Sequence, residues 1–193
     1  MQKPKNYDTV TGYGEFEPLE LGGHICKIMK VEETKSSTGK DMLKISIDIA
    51  EGKQKDYYAK QYKADTRNPK KWGCIVYQLV EDSDGNTNRG LKTFIESVAK
   101  SNAGFNSDEI WNDKFGEYFK GKLIGGVFGR EQFKTQDGKL KWSTKCVNFR
   151  DVETIKKGVP VPEDKYLSGE QKSGGDTNFA ASFAPIDEDD LPF

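Results

Sequence analysis

The sequence has little histidine and cysteine, and these residues are not spaced as metal ligands or disulfide partners would be. His24 is the one histidine among 193 residues, and Cys26, Cys74 and Cys146 are far apart and form no CxxC pair. Neither a zinc cluster nor a disulfide framework is indicated, so a reducing compartment is the default. The same residues lack the arrangement that nucleophilic catalysis needs.

Long apolar runs are also missing. No stretch of 18 apolar residues occurs, and the opening segment MQKPKNYDTVTGYGEF has no apolar core of the kind that signal peptides contain. The sequence therefore predicts a soluble cytoplasmic protein that has no membrane partner.

Charge is divided unevenly along the chain. Residues 1–165 contain 29 Lys and Arg against 25 Asp and Glu, whereas residues 166–193 contain 1 against 6. The net charge of -1 thus combines a mildly basic body with an acidic C-terminal part. A basic body can approach polyanions, and an acidic tail favours cationic surfaces. The length suits one domain with a solvated segment.

Alternating apolar residues predict strands in the first third of the chain. In the first candidate, HICKIMKVEE, the odd-numbered residues from Ile25 to Val31 share one face. MLKISIDI, at residues 42–49, alternates most cleanly and predicts a half-buried strand. DYYAKQY, at residues 56–62, is the third candidate.

The middle of the chain is predicted to be helical. Residues 88–102 have apolar side chains at helical spacing, and residues 107–119 read as another short helix. Residues 68–80 fit either a helix that begins at Asn68-Pro69 or a strand. Strands return at residues 122–134 and 140–152, around an Asp-Gly pair that is typical of a hairpin turn.

This order predicts a mainly β fold class. Three strands, inserted helices between strands 3 and 4, and two more strands are the order of an OB-fold, a five-stranded barrel. A generic meander capped by helices has the same order. The predicted organisation is a barrel domain at residues 1–162, a flexible Gly- and Ser-rich linker at 163–186, and an acidic tip at 187–193, so that the C-terminal tail is disordered.

The tip is DEDDLPF, four acids followed by three apolar residues. Phe193 can fill an apolar pocket while its α-carboxylate accepts bonds from a cationic rim, and Pro192 lowers the ordering cost. A solubilising tail that happens to end in Phe is the simpler alternative. The predicted partner-binding residues are Asp187, Glu188, Asp189, Asp190, Leu191, Pro192 and Phe193.

This tip resembles the C-terminal tip of bacterial single-stranded DNA-binding proteins, in which isoleucine usually stands at the position of Leu191. Residues 15–52, EFEPLELGGHICKIMKVEETKSSTGKDMLKISIDIAEG, and the later GLKTFIESV resemble a phage and prophage family of single-stranded DNA-binding proteins. The resemblance implies an OB-fold that holds single-stranded DNA in the cytoplasm of a bacterial host. It also implies a tip that recruits replication, recombination and repair proteins. Homo-oligomerisation is left open.

In an OB-fold the strand would lie across strands two and three, between the loops that join strands one–two and four–five. Lysines interleaved with aromatics suit a sequence-tolerant binder, since cations meet phosphates and rings meet bases. Trp142 alternates in step with Leu140 and Cys146, so the three share one strand face, and Trp142 is predicted to be in the core. Phe133 fits either a core position or a DNA-binding position. The predicted DNA-binding residues are Lys35, Lys40, Lys44, Tyr58, Lys60, Tyr62, Lys63, Arg67, Lys70, Lys71, Trp72, Phe133 and Lys139.

Rival functions have weaker patterns. Asp48 with Glu51-Gly52-Lys53 is loosely similar to a metal-dependent nuclease site, but it runs from a strand into a turn. Residues 82–93 depart from a calcium loop at the glycine and at the last position. No catalytic residue, metal or cofactor is predicted. An adaptor that imitates the bacterial tip without binding DNA, and a strand-annealing recombinase, remain open.

Overall fold

A computed structural model describes residues 2–5, 7, 8 and 17–167. Within these residues two helices stand between the third and fourth strands, which confirms the mainly β class and the position of the inserted helices. None of the described helices is long and apolar enough to cross a membrane. The elements are β1 (Gly22–Lys35), β2 (Asp41–Ile49), α1 (Tyr57–Ala64), β3 (Ile75–Leu79), α2 (Arg89–Ser101), α3 (Phe115–Phe119), β4 (Leu123–Lys134), β5 (Leu140–Arg150) and α4 (Val152–Lys157).

The strands form one antiparallel sheet in the order β3-β2-β1-β4-β5. A sheet with this order closes into a barrel only if β3 pairs with β5, because these strands are its two ends. Across the described part of the chain β3 and β5 form no ladder with each other. The sheet is therefore open, and the predicted barrel is not confirmed.

β1 is shared by both halves of the sheet, since its first part pairs with β4 and its second part with β2. A bulge between Ile28 and Lys30 shifts the register with β2. The side chains that β1 buries are Cys26 and Ile28 before the bulge and Val31 after it. The predicted single face from Ile25 to Val31 is therefore wrong, because a bulge moves the following residues to the other face.

The core is built on β2 and α2. Leu43, Ile45, Ile47 and Ile49 are all buried, as their alternation predicts. Met42, Ser46 and Asp48 on the other face of β2 are buried as well, so the prediction of a half-buried strand is wrong. On α2 the Phe94 ring lies 5.0 Å from the Phe119 ring and 5.3 Å from the Phe149 ring, measured between centroids. Helix, sheet and the short α3 thus meet in one aromatic cluster, which supplies much of the apolar burial that stabilises the fold.

Residues 56–62, predicted as the third strand, belong instead to α1 and the residue before it. The reason is the buried carboxylate of Asp48, which accepts the backbone N–H of Tyr58 at 2.9 Å and that of Ala59 at 3.1 Å. It also accepts the N–H of Ile49 at 2.8 Å. N–H groups in the first turn of a helix have no partner within the helix, so this acceptor stabilises α1 where it stands.

The third strand is Ile75–Leu79. Of the two alternatives for residues 68–80, the strand is therefore right over this stretch and the helix is wrong. The helix predicted at residues 88–102 is confirmed as α2. The helix predicted at residues 107–119 is confirmed only as the short α3, since the preceding residues form turns.

The three cysteines are free thiols in the core. Burial raises the pKa of the Cys74 thiol to about 12, although the Tyr58 hydroxyl and the Cys146 backbone beside it favour the thiolate. Burial likewise raises the pKa of Cys26 and of Cys146. Because Cys74 directly precedes β3 and Cys146 belongs to β5, the two edges of the open sheet come close together here.

β4 and β5 continue past the rest of the sheet as a hairpin, residues 129–145, which we call the arm. Residues 163–167, which we call the strap, run along its β4 side. The N–H of Lys165 donates to the carbonyl of Arg130 at 2.9 Å, and the N–H of Gln132 donates to the carbonyl of Lys165 at 2.8 Å. The first residues of the predicted linker are thus bonded to the arm. The rest of the linker and the tip lie outside the described residues.

Asp48→Ala removes the acceptor of three backbone N–H groups in a buried place. We expect it to lower the free energy of unfolding by about 3 kcal/mol, because bonds to a charged acceptor are strong and the donors would stay unsatisfied. Urea denaturation followed by circular dichroism measures the change. The control is Asp41→Ala in the same strand, where an exposed ion pair with Lys35 is lost at a cost below about 1 kcal/mol. Equal losses in both variants would contradict this role of Asp48.

The buried thiols should react slowly with a disulfide reagent such as DTNB at pH 8 while the protein is folded. The thiolate is the reactive species, and both burial and the raised pKa values keep it scarce and inaccessible. We expect all three thiols to react at least ~100-fold faster in denaturant, since labelling of the folded protein requires opening. Rapid labelling of any one thiol in the folded protein would contradict the packing described.

Candidate nucleic-acid interface

The face of β1, β2 and β3 that is turned away from Ile45 carries a lysine beside an aromatic ring, and on β2 it also carries the buried side chains of Met42 and Ser46. Lys44 stands in the middle of β2, directly opposite Glu32 of β1 on one side and Tyr77 of β3 on the other. All three side chains are partly exposed. Directly opposed residues in antiparallel strands have Cβ atoms about 5 Å apart, so the ammonium group and the phenol ring are presented together.

Glu32 moderates the positive charge of this face. The Nζ of Lys30 lies 2.6 Å from the Glu32 carboxylate, and that of Lys44 lies 3.9 Å from it. The bond from Lys30 lowers the pKa of Glu32, which keeps the carboxylate ionised. Burial, with a smaller contribution from Glu32, raises the pKa of Tyr77, so its ring is a neutral phenol at physiological pH.

A second group of aromatic side chains is formed by Tyr62 of α1 and Trp72 in the segment before β3. The two ring centroids are 5.5 Å apart, and the Nζ of Lys70 lies 5.5 Å from the centroid of the Tyr62 ring. The indole N–H of Trp72 donates to the carbonyl of Ile47 at 2.9 Å, which attaches the pair to β2. Three predicted DNA-binding residues are thus brought together, and Tyr62 is 38% exposed.

Tyr58 does not belong to this surface. Its side chain is only 4% exposed, and its ring stacks against Phe128 with centroids 6.5 Å apart. Burial raises the pKa of its hydroxyl, which lies beside Cys74. The prediction that Tyr58 stacks a base, made because it shared a strand face with Lys60, is therefore wrong for this conformation. The residues form a helix, and Tyr58 is on its inner side.

The other predicted cations are on the surface, several of them beside carboxylates. Arg67 binds Asp65 through two nitrogens, and this bond lowers the pKa of Asp65. The turn between β1 and β2 carries the ion pair Lys35–Asp41 at 2.7 Å, and the turn between β4 and β5 carries Lys139–Asp137 at 3.2 Å. Exposed pairs of this kind are weak and can exchange for phosphate contacts. The remaining exposed lysines of the predicted set are Lys40, Lys60, Lys63 and Lys71.

The arm presents aromatic side chains to solvent. Trp142, predicted to be in the core, is 38% exposed, and Leu140 on the same face is 48% exposed. Both residues lie on the same face of β5 as buried Cys146. Within the described residues, however, that face is left exposed where β5 extends past the rest of the sheet. Phe133, for which the sequence allowed either a core position or a DNA-binding position, is 40% exposed.

Two aromatic residues were missed by the sequence argument. Tyr77 was missed because the third strand was placed at residues 56–62, and only the correct register sets it opposite Lys44. Tyr166 was missed because it falls in the predicted linker, although an isolated aromatic followed by leucine directly before a Gly- and Ser-rich run is a signal that this part is held.

The rival metal sites have no supporting geometry. The Asp48 carboxylate is occupied by three backbone N–H groups, and Glu51 stands exposed in the following turn. The side chain of Asp82 accepts the N–H groups of Asp84 and Asn86, as in an ordinary polar turn. Among the described residues no group of three His, Cys, Asp or Glu is placed to hold a metal ion.

Comparison with protein-family models and with curated protein sequences finds no match for this chain. The resemblance to phage and prophage single-stranded DNA-binding proteins therefore stays a prediction. What the molecule can do has to be argued from its charged and aromatic surfaces.

Proposed function

We propose that this protein binds single-stranded DNA with little base preference and protects it during phage DNA replication and recombination in the cytoplasm of a bacterial host. The observations that carry the proposal are the pairing of Lys44 with Tyr77 across β2 and β3, and a separate group of Tyr62, Lys70 and Trp72 on α1 and the segment before β3. Cations that track a phosphate backbone, beside rings on which any base can stack, are what sequence-tolerant binding requires.

The open sheet supports an OB-like arrangement as part of this proposal. Its strand order, β3-β2-β1-β4-β5, is the one that a five-stranded barrel would have if β3 paired with β5, and Cys74, directly before β3, lies beside the backbone of Cys146 in β5. OB-folds are partly open barrels that bind oligonucleotides on the face of strands two and three. The pair of Lys44 and Tyr77 lies on the corresponding strands.

The proposal gives the acidic tip, residues 187–193, a second role in recruiting replication, recombination or repair proteins. Its support is sequence chemistry alone: four acids, then a proline that restricts the chain, then an aromatic side chain that can fill an apolar pocket. An adaptor that used only the tip would share this feature, and DNA binding distinguishes the two functions.

We expect the protein to bind fluorescently labelled oligo-dT and to prefer it to duplex DNA. Binding should weaken with salt, with log K falling by about 0.7 per unit of log salt for each phosphate neutralised. Tyr77→Ala should cost about 1 to 3 kcal/mol if the ring stacks a base. Fluorescence anisotropy measures both effects.

The matched control is Tyr118→Ala, because Tyr118 is also a partly exposed tyrosine but belongs to α3 and not to β2 or β3. It should bind oligo-dT as the unchanged protein does. No binding of a long oligo-dT at low salt would refute the proposal and leave the adaptor. Binding that is unaffected by Tyr77→Ala would place the DNA on another surface.

Phe193→Ala should abolish most capture of partner proteins from bacterial extract, at a cost of about 2 kcal/mol or more, as for other buried anchors. Deleting residues 187–193 should do the same and should also tighten DNA binding at low salt if the acids compete with DNA for the basic body. Affinity capture with mass spectrometry and anisotropy measure the two effects. A tip whose loss changes neither is a solubilising tail.

A further inference from the structure

The arm and the strap together form an aromatic corner that is open to solvent. The rings of Trp142 and Tyr166 meet edge to face, with centroids 5.2 Å apart and planes at 80°. Trp142 is 38% exposed and Tyr166 is 43% exposed. The guanidinium carbon of Arg130 lies 5.1 Å from the centre of the Trp142 ring, so a cation accompanies the two rings.

This corner is held in place by the backbone and by charge. Tyr166 follows Lys165, whose main chain bonds to β4 on both sides of Glu131. Asp164 binds the Arg130 guanidinium through both of its oxygens, and the Glu131 carboxylate lies 2.8 Å from the Nζ of Lys165. Rings fixed in this way lose little conformational entropy when a ligand stacks on them, which favours binding.

Packing alone does not account for the corner. A strap needs only main-chain bonds and ion pairs to stay on β4, and both rings stay well exposed within the part of the chain that the structure describes. Exposed aromatic surface beside cations is a feature of nucleic-acid-binding surfaces, where base stacking on a ring contributes to affinity. Lys134 and Lys141 are exposed in the same hairpin, within the part of the arm that also carries Trp142.

We infer that the corner of Trp142, Tyr166 and Arg130 is a second nucleobase subsite, which rests on the proposed binding of single-stranded DNA. A base stacks on the exposed part of the Trp142 ring with Tyr166 against its edge, Arg130 stays paired with Asp164 beside the Trp142 ring, and the arm lysines meet the neighbouring phosphates. The subsite uses β4, β5 and the strap, whereas the sheet face uses β2, β3 and α1, and a strand long enough to span the two would contact both.

The test begins with the affinity of the full chain for oligo-dT of about 20 nucleotides, longer than the usual site of one OB-fold. Trp142→Ala and Tyr166→Ala should each weaken binding at least about fivefold, the lower end of a stacking contribution. Tyr166→Phe should bind like the unchanged protein because it keeps the ring. Trp111→Ala is the matched control, since Trp111 is 60% exposed beside α3 and far from the arm in the fold.

A second measurement separates stacking from a purely structural role. In the double variant Trp72→Phe, Trp111→Phe, Trp142 is the only tryptophan left. Because Trp72 belongs to the proposed site, anisotropy first gives the oligo-dT concentration that saturates this variant. Its emission should be quenched as saturating oligo-dT stacks on the ring. Weakened binding in Trp142→Ala without this quenching would overturn the subsite, because the ring would then act only by holding the strap.

The two proposals fail in distinguishable ways. If the unchanged protein binds no oligo-dT, the proposed function fails. If it binds, and Tyr77→Ala weakens binding while both arm variants bind normally and Trp142 emission is unchanged, only the second subsite is refuted.

Discussion

The path of the chain after β2 depends on one buried carboxylate. Asp48 binds the N–H groups of Ile49, Tyr58 and Ala59, and so fixes α1 against the strand that carries it. Three bonds to a charged acceptor compensate for burying that charge, which an isolated carboxylate could not tolerate. With α1 in this position, Tyr58 enters the core and Tyr62 remains outside beside Trp72. The position of Tyr62 in the candidate interface thus depends on a buried aspartate.

The second constraint is close backbone packing on the other half of the sheet. A Cβ atom at Gly125 of β4 would lie 2.3 Å from the Ile155 side chain of α4, and one at Gly23 of β1 would lie 2.6 Å from Val159. Only glycine allows α4 and the segment after it to lie so close to both strands. This packing brings the chain back across the β1–β4 junction, and from there it reaches the arm as the strap.

Regular periodicity made part of this fold predictable. The alternation in β2 and the helical spacing in α2 each identify the element and one of its buried sides, and such patterns can be read without knowing the partner. The burial of Ser46 and Asp48 on the other face of β2 could not be read in this way. Residues 56–62 could not be assigned in the same way, because Asp48, which precedes them, selects helix over strand by tertiary contact. The bulge in β1 and the exposure of Trp142 are likewise properties of the assembled sheet. For the site, the sequence identified Lys44, Tyr62, Lys70 and Trp72 but placed Tyr58 on the wrong side.

The strap has a mechanical consequence. Everything after Leu167 is joined to the domain through a segment whose main-chain contacts with β4 are few, together with the ion pairs of Asp164 and Lys165. Tension applied to the chain beyond Leu167 is therefore carried first by these contacts and only afterwards by α4 and the sheet. A partner that pulls on the C-terminal residues would peel Tyr166 away from Trp142 before it disturbs any strand of the core. A joint held by few contacts thus lies beside the proposed arm subsite.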